Sequence, residues 1–504
     1  MVRNQNTKIP AVLKMLPLAV ILLLGIQACK KSRSDLGKTL FTETGNKVFK
    51  NMEGEAFTAV FKETLEAQKS TLAHPELITA WYERNDYMPT IVLGHIKHKG
   101  FNTIISYFDQ SAAHGFNPEL FKTARLKQLV QQFYEKKGIR TTEEAYKKLA
   151  ELELLSANAL ITYSNALQYG LIDPKKVYAS YFIDTKRPDS LAINRVFTAT
   201  DLKVYLDSIQ PKDKQYLLLQ KALKEGLTAK GMSAEESRQA LMVNLERLRW
   251  KNKPAADKYV NVNIADFRLD VIDHGKSILD MKVCVGEGRK TSGLKKDRPF
   301  SRETPQLNSL IHSVQVDPVW NIPESIATNE ITKYAAADRY YLANHNIDVF
   351  EDGKLIDDPE LIDWSAGNPG KKYTFKQRPG EDNSLGKIKF LFANQSSVYL
   401  HDTPAKAAFN LPVRAISHGC VRLEKPLELA EVLFGPGAKY DDIKKRMESD
   451  GEKEAKNINL PEKVPVYLTY TTAWTDENDG LQFRKDIYGL DLVLYAAMQK
   501  TGAV

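Results

Sequence analysis

Apolar side chains recur at helical spacing through the first half of this chain and at every second position through much of the rest. From Glu151 to Leu167, the residues Leu152, Leu155, Ala159 and Tyr163 form one stripe, with Leu160 and Leu167 beside it. Leu241, Leu245 and Leu248 repeat that stripe before Trp250. Such a period predicts amphipathic helices. Asn117-Pro118 and Asp173-Pro174 punctuate them, because the residue before proline is pushed out of the helical region. From Tyr259 the period becomes two: Val260, Val262 and Ile264 alternate with polar residues, and Asp273-His274-Gly275-Lys276 reads as a hairpin turn before a strand over Leu279 to Val285. Pro426 to Phe434 carries Leu427, Leu429, Ala430 and Leu433 at helical spacing. Val466, Leu468 and Tyr470 then alternate within a closing strand over Val464 to Thr471. The expected class is α+β, a helical N-terminal region followed by a β-rich domain.

A chain of 504 residues is too long for one small core. The expected division is a helical scaffold over 53–250 and a β-rich domain over 258–475, with a tail over 476–504. A long polar and aromatic segment over 324–382, with Tyr340, Tyr341, Trp364 and Tyr373, interrupts the β-rich part. Insertions of that length in compact domains are usually functional or mobile. At the start, basic Arg3, Lys8 and Lys14 precede an apolar run from Met15 to Ala28, too short for a membrane span of about 20 residues. Residues 1–28 therefore read as a secretion signal. The run ends in Leu24-Gly25-Ile26-Gln27-Ala28-Cys29, which resembles a bacterial lipobox with Cys29 as the lipidated residue, followed by a polar tether over 29–52. A periplasm-facing membrane lipoprotein, placed at the outer membrane, is the expected location.

Charge adds little. The formal net charge of +8 falls to +5 once Arg3, Lys8 and Lys14 are removed with the signal. The basic residues are dispersed rather than clustered with aromatics, which argues against nucleic-acid binding. Three cysteines give no disulfide framework. Cys284 sits in the alternating run Leu279, Met281, Val283, Val285 and reads as a small buried hydrophobe.

Cys420 is different. It lies in Ser417-His418-Gly419-Cys420-Val421-Arg422-Leu423, downstream of Tyr399-Leu400-His401-Asp402-Thr403. A thiol at its ordinary pKa is only a few per cent thiolate at neutral pH, so a cysteine nucleophile needs an imidazole to take its proton. Both His401 and His418 could serve. Gly419 lets backbone approach a substrate carbonyl, and the N–H groups at Gly419 and Cys420 could stabilise a developing oxyanion. Zinc held by His401, His418 and Cys420 is the rival reading, but no second Cys or His pair completes a structural site.

His-Asp-Thr, a spacer and Ser-His-Gly-Cys-Val-Arg-Leu together resemble the signature of the L,D-transpeptidases, the YkuD-type enzymes that cross-link bacterial peptidoglycan. Val316-Asp317-Pro318-Val319-Trp320-Asn321-Ile322-Pro323 and Asn383-Ser384-Leu385-Gly386 precede it in the family's order. Trp81 to Asp86 and Ala166 to Pro174 are similar to the helical scaffold of the large, YcbB-like branch. No peptidoglycan-binding repeat stands out. The resemblance implies a β-sandwich-like catalytic fold, with 324–382 as a lid. It makes Cys420 the nucleophile and His401 the base, oriented by a backbone carbonyl rather than by Asp402. Arg422, His418, Ser417, Tyr399, Trp320 and Asn383 would support the pocket or meet substrate. Peptidoglycan stem peptides would be donor and acceptor, without metal or organic cofactor, and carbapenems would acylate the cysteine. Hydrolysis would use the same Cys and His, so an L,D-carboxypeptidase or a hydrolase releasing protein from the wall stays open. A wall-binding scaffold with a decayed site also stays open, although the intact motif argues against it.

Overall fold

The computed structural model describes residues 36–250, 256–288, 302–449 and 454–504; the signal and Cys29 lie outside the described residues. A long helix, Thr142–Tyr169, forms the axis of the first domain. The Thr141 hydroxyl accepts the Glu144 N–H at its start, and burial around nearly its whole circumference makes it central rather than amphipathic. Its middle carries Glu153, whose buried carboxylate accepts the Ile91 and Val92 N–H groups and the Tyr82 hydroxyl. That caps the first turn of the helix Thr90–His95 from outside it.

The sequence places a tether over 29–52, and the structure corrects its second half. Leu36–Thr44 is a helix with Leu36 and Leu40 buried, and Phe49 stacks on Phe133 at 5.4 Å between ring centroids. Six apolar side chains, Leu36, Leu40, Phe41, Val48, Phe49 and Met52, are spread through this polar stretch without a regular period. The tail is corrected in the same way. Its helix Leu490–Lys500 buries Leu494 and Met498 in the helical core, and the Asn117 N–H donates to Ala503 O at 2.5 Å. A buried ion pair, Arg247 Nη1 to Asp491 Oδ1 at 2.6 Å, fastens this helix to Ala234–Arg249.

The strands run in chain order as β1 (Tyr181–Phe182), β2 (Lys258–Asn263), β3 (Arg268–Asp273), β4 (Lys276–Gly286), β5 (Gln306–Val316), β6 (Trp320–Ile322), β7 (Ile347–Glu351) and β8 (Lys354–Leu355). After β9 (Thr374–Gln377) come β10 (Ile388–Phe392), β11 (Leu400–His401), β12 (Ala415–Ser417), β13 (Val421–Leu423), β14 (Lys456–Thr469), β15 (Ala473–Thr475) and β16 (Leu481–Phe483). The main sheet follows β5-β10-β11-β13-β4-β3-β2-β14, and β14 pairs again with β5, so it closes on itself. The expected sandwich-like sheet is thus a closed one, which leaves few free edges. Its interior holds Val260, Val262, Val283, Val314, Phe390, Leu400, Val421 and Leu468. The hairpin turn reads as expected: His274 and Gly275 both take positive φ, 46° and 78°, as a two-residue turn between twisted strands requires. The helix Pro426–Phe434 also forms where its period places it.

The inserted segment is a folded subdomain. Strands β6, β9, β7 and β8 make a separate four-stranded sheet, and Val349, Trp364, Tyr373 and Phe375 fill its own small core.

Candidate active site

Strand register builds the site. Strands β11 and β13 run parallel, with Leu400 opposite Val421 and His401 opposite Arg422; the Val421 N–H donates to Tyr399 O at 3.1 Å. Alternation then sorts the side chains by face. Leu400 and Val421 enter the core, while Tyr399, His401, Cys420 and Arg422 share the opposite face. The two sequence motifs meet there because the register sets the alternate positions of one strand, Tyr399 and His401, opposite those of the other, Cys420 and Arg422.

His401 is buried, 4% exposed. Its Nδ1 donates to the Asp402 carbonyl O at 2.5 Å, which requires the proton on Nδ1 and leaves Nε2 as a lone-pair acceptor. The Asp402 carboxylate points elsewhere, to Lys406 Nζ at 2.5 Å and the Lys387 N–H at 2.9 Å. Tyr399 meets the imidazole edge-on at 5.8 Å. His401 and Cys420 are neighbours across the strand pair rather than hydrogen-bonded partners; catalytic contacts often tighten only around substrate.

The cysteine loop is held from three sides. Gly419 has φ 123°, in the region that disfavours any side chain. Ser417 Oγ accepts the Gly419 N–H at 3.1 Å and donates to Cys420 O at 2.6 Å. Below it, Thr304 Oγ1 donates to Gly419 O at 2.8 Å and accepts the Gly286 N–H at 2.9 Å. Tyr488 completes this support by donating to Gly286 O at 2.6 Å. The paired oxyanion expectation is therefore narrowed: the Gly419 N–H is spent on Ser417, which leaves the Cys420 N–H as the donor at the loop.

The remaining expected residues divide. Arg422 is half-buried, and its Nε is buried without a hydrogen-bond partner. His418 is turned away from the sulfur, with Nε2 at 2.7 Å from Glu330 Oε1 of the inserted subdomain; Arg302 Nη2 reaches the same oxygen at 2.8 Å. Asn383 is 1% exposed, with Nδ2 donating to Pro318 O at 3.0 Å and Arg378 O at 2.8 Å and Oδ1 accepting the Leu385 N–H at 2.8 Å. It braces the connection to the subdomain and has no donor left for substrate. Trp320 opens β6 opposite Gln377 and packs on the subdomain core. Among the described residues, no group of three or more His, Cys, Asp or Glu is placed to hold a metal ion. Cys284 is fully buried.

Burial pulls the His401 imidazole down to about 4, with the Arg422 charge adding to it. Burial likewise pushes the Cys420 thiol up to about 11, although a Tyr399 backbone hydrogen bond and the charges of Arg422 and Lys389 oppose it. Between these values the resting pair is neutral thiol and neutral imidazole, so the base is free over the whole neutral range. Iodoacetamide inactivation of the free protein should therefore rise roughly tenfold per pH unit from 7 to 9, with no plateau near neutrality. A plateau below pH 7 would instead reveal a preformed thiolate–imidazolium pair.

Comparison with known families adds the decisive observation. The L,D-transpeptidase catalytic domain matches residues 257–434, and the scaffold domain matches residues 76–223. The chain carries an L,D-transpeptidase catalytic domain beside a scaffold domain. A protein of Haemophilus influenzae named "Putative L,D-transpeptidase" is 30% identical over 317 residues, which is 62% of this chain and 61% of that relative. The chain thus spans under two thirds of that relative's length. The L,D-transpeptidase domain contains every element of the site described above except Tyr488, which the chain supplies from beyond the match. Sequence reasoning missed Thr304, Glu330 and Tyr488, whose contacts are long-range. It also missed Lys389, a lone cation inside the apolar strand Ile388-Lys389-Phe390-Leu391-Phe392 that was visible as an irregularity.

Proposed function

We propose that this protein is a peptidoglycan L,D-transpeptidase that forms 3→3 cross-links through a cysteine acyl-enzyme. The observation that carries this reading is the shared sheet face of Cys420 and His401, with Nδ1 of the histidine tied to a carbonyl so that Nε2 is basic. In the forward half-reaction the Cys420 proton passes to His401 Nε2 and the sulfur attacks the carbonyl of the third stem residue. The oxyanion faces the Cys420 N–H. As the C–N bond breaks, His401 returns the proton to the leaving amine, and D-alanine departs with a thioester left on Cys420. In the second half the side-chain amine of a neighbouring stem attacks, His401 takes its proton, and the thiolate leaves and is reprotonated. One amide replaces another, so no cofactor is consumed.

The inserted subdomain would act as a lid. Glu330 already joins it to His418, two residues before the nucleophile, and closure there would keep water from the thioester. The proposed setting is the periplasmic side of a membrane, with Cys29 lipidated and stem peptides as donor and acceptor. The proposed pocket would also be open to acylation by carbapenems.

The test is mass spectrometry of a disaccharide-tetrapeptide incubated with a soluble form lacking residues 1–29. A dimer that has lost one D-alanine is expected. Monomeric tripeptide alone would replace transfer with carboxypeptidase activity, and no change at all would favour a protein-releasing hydrolase or a wall-binding scaffold.

A further inference from the structure

The sheet face that carries the thiol also carries two cations with no assigned role. Strand β10 lies beside β11, with Lys389 opposite His401, and His401 lies opposite Arg422 on β13. Directly paired residues point to one side of a sheet. Lysine, histidine and arginine therefore form a single row, and Tyr399 and Cys420 occupy the next row on the same face. The burial pattern of β10 agrees: Ile388, Phe390 and Phe392 are core, and Lys389 is half-buried on the other side.

Among the described residues, neither cation has a carboxylate partner. Lys389 Nζ has one long contact, 3.4 Å to Val319 O, and stands 5.5 Å from the Tyr399 ring centroid. No carboxylate lies within 4 Å of it among the described residues, and Arg422 Nε is buried without a hydrogen-bond partner there. The nearby Asp402 carboxylate is committed to Lys406 and Lys387. Two half-buried charges without a counter-ion are costly to hold unless a ligand supplies the negative charge.

We propose that Lys389, with Arg422, binds the free terminal carboxylate of the leaving residue and so restricts the donor to peptides with a single residue beyond the scissile bond. This rests on the transpeptidase reading above. The chemistry fits the position: in a donor ending one residue past the attacked carbonyl, the carboxylate carbon is only two bonds from the leaving nitrogen. It therefore sits within a few ångströms of the sulfur, where the row of cations lies. A donor with a further residue, or with a blocked terminus, places a neutral amide there and leaves both cations unpaired. Discrimination against a substrate that strands a buried polar group is steep. Lys389 acts here as a specificity residue, and the proton transfers remain with His401.

The experiment compares two donors, the disaccharide-tetrapeptide with a free D-alanine terminus and the same molecule ending in D-alaninamide. Wild type, Lys389→Met and Lys389→Arg are assayed for KM and kcat on both, with iodoacetamide alkylation of Cys420 as a measure of the thiol. Wild type should prefer the free acid at least tenfold in kcat/KM. Lys389→Met should lose most of that preference through KM, with alkylation changed less than threefold, and Lys389→Arg should keep it. Equal use of both donors by wild type would overturn this inference alone. So would a Lys389→Met variant that slows both donors equally with slower alkylation, because the lysine would then serve the thiolate. Turnover of neither donor by wild type, with Cys420 still alkylated, would overturn the transpeptidase reading and this inference with it.

Discussion

Replacing Cys420 by alanine should abolish turnover, by about 10⁴-fold or more, while the protein stays folded. The sulfur is the atom that holds the acyl group in the proposed mechanism. Its removal takes away the intermediate and not merely some stabilisation of it. The fold should tolerate the change, because Cys420 is only partly buried and packs at the margin of the sheet core. Its loop is held by hydrogen bonds of Ser417, Thr304 and Tyr488 to backbone carbonyls, which the substitution leaves in place. Intact-protein mass spectrometry would show a carbapenem adduct on the wild type and none on Cys420→Ala. A variant that still cross-links stem peptides would end the acyl-enzyme mechanism.

The second large effect is the contrast between the two histidines. His401→Ala should lower kcat by about 10²- to 10⁴-fold, the usual worth of a positioned general base. With the thiol raised to about 11 by burial, little thiolate exists at neutral pH without that base, so its loss should be felt in full. Part of the activity of His401→Ala should return as pH is raised, because hydroxide then supplies the thiolate. His418→Ala should cost less than about tenfold, since its visible partner is Glu330 through a half-exposed hydrogen bond. Single-turnover acylation rates of the two variants would decide. A larger loss in His418→Ala would make it the base and demand that its bond to Glu330 break during the reaction.

Much of this site could be read from the chain, and the reason is local. His401 and Cys420 stand in short motifs whose residue types already state their chemistry, and strand alternation then fixes which neighbours share their face. The turn at His274-Gly275 and the helix Pro426–Phe434 were legible for the same reason, since dipeptide and period suffice to specify them. What could not be read depends on pairings between distant segments. Closure of the sheet by β14 against β5 joins Val316 to Lys456, and nothing in either strand names the other. The Gly419 N–H looked free until the Ser417 hydroxyl was seen to occupy it. Glu330 resembled any acidic residue of a polar insertion until the fold set it against His418 and Arg302. The helix Leu36–Thr44 was hidden because it offers few apolar residues, and Leu490–Lys500 because its apolar residues surround the helix and mark no single buried face, only Leu494 and Met498 entering the core.

The return of Leu490–Lys500 to the helical core has a consequence for how the molecule comes into being. In topology the catalytic sheet is a guest within the helical domain, which begins before it and is completed only after it. A ribosome releases the N-terminal helices first, so they must wait with the seats of Leu494, Met498 and Ala503 empty until the last residues emerge. By then the cysteine-bearing sheet has already been made. The scaffold is thus sealed last, and a chain broken off short of its final helix leaves an open apolar groove as the mark of an unfinished enzyme.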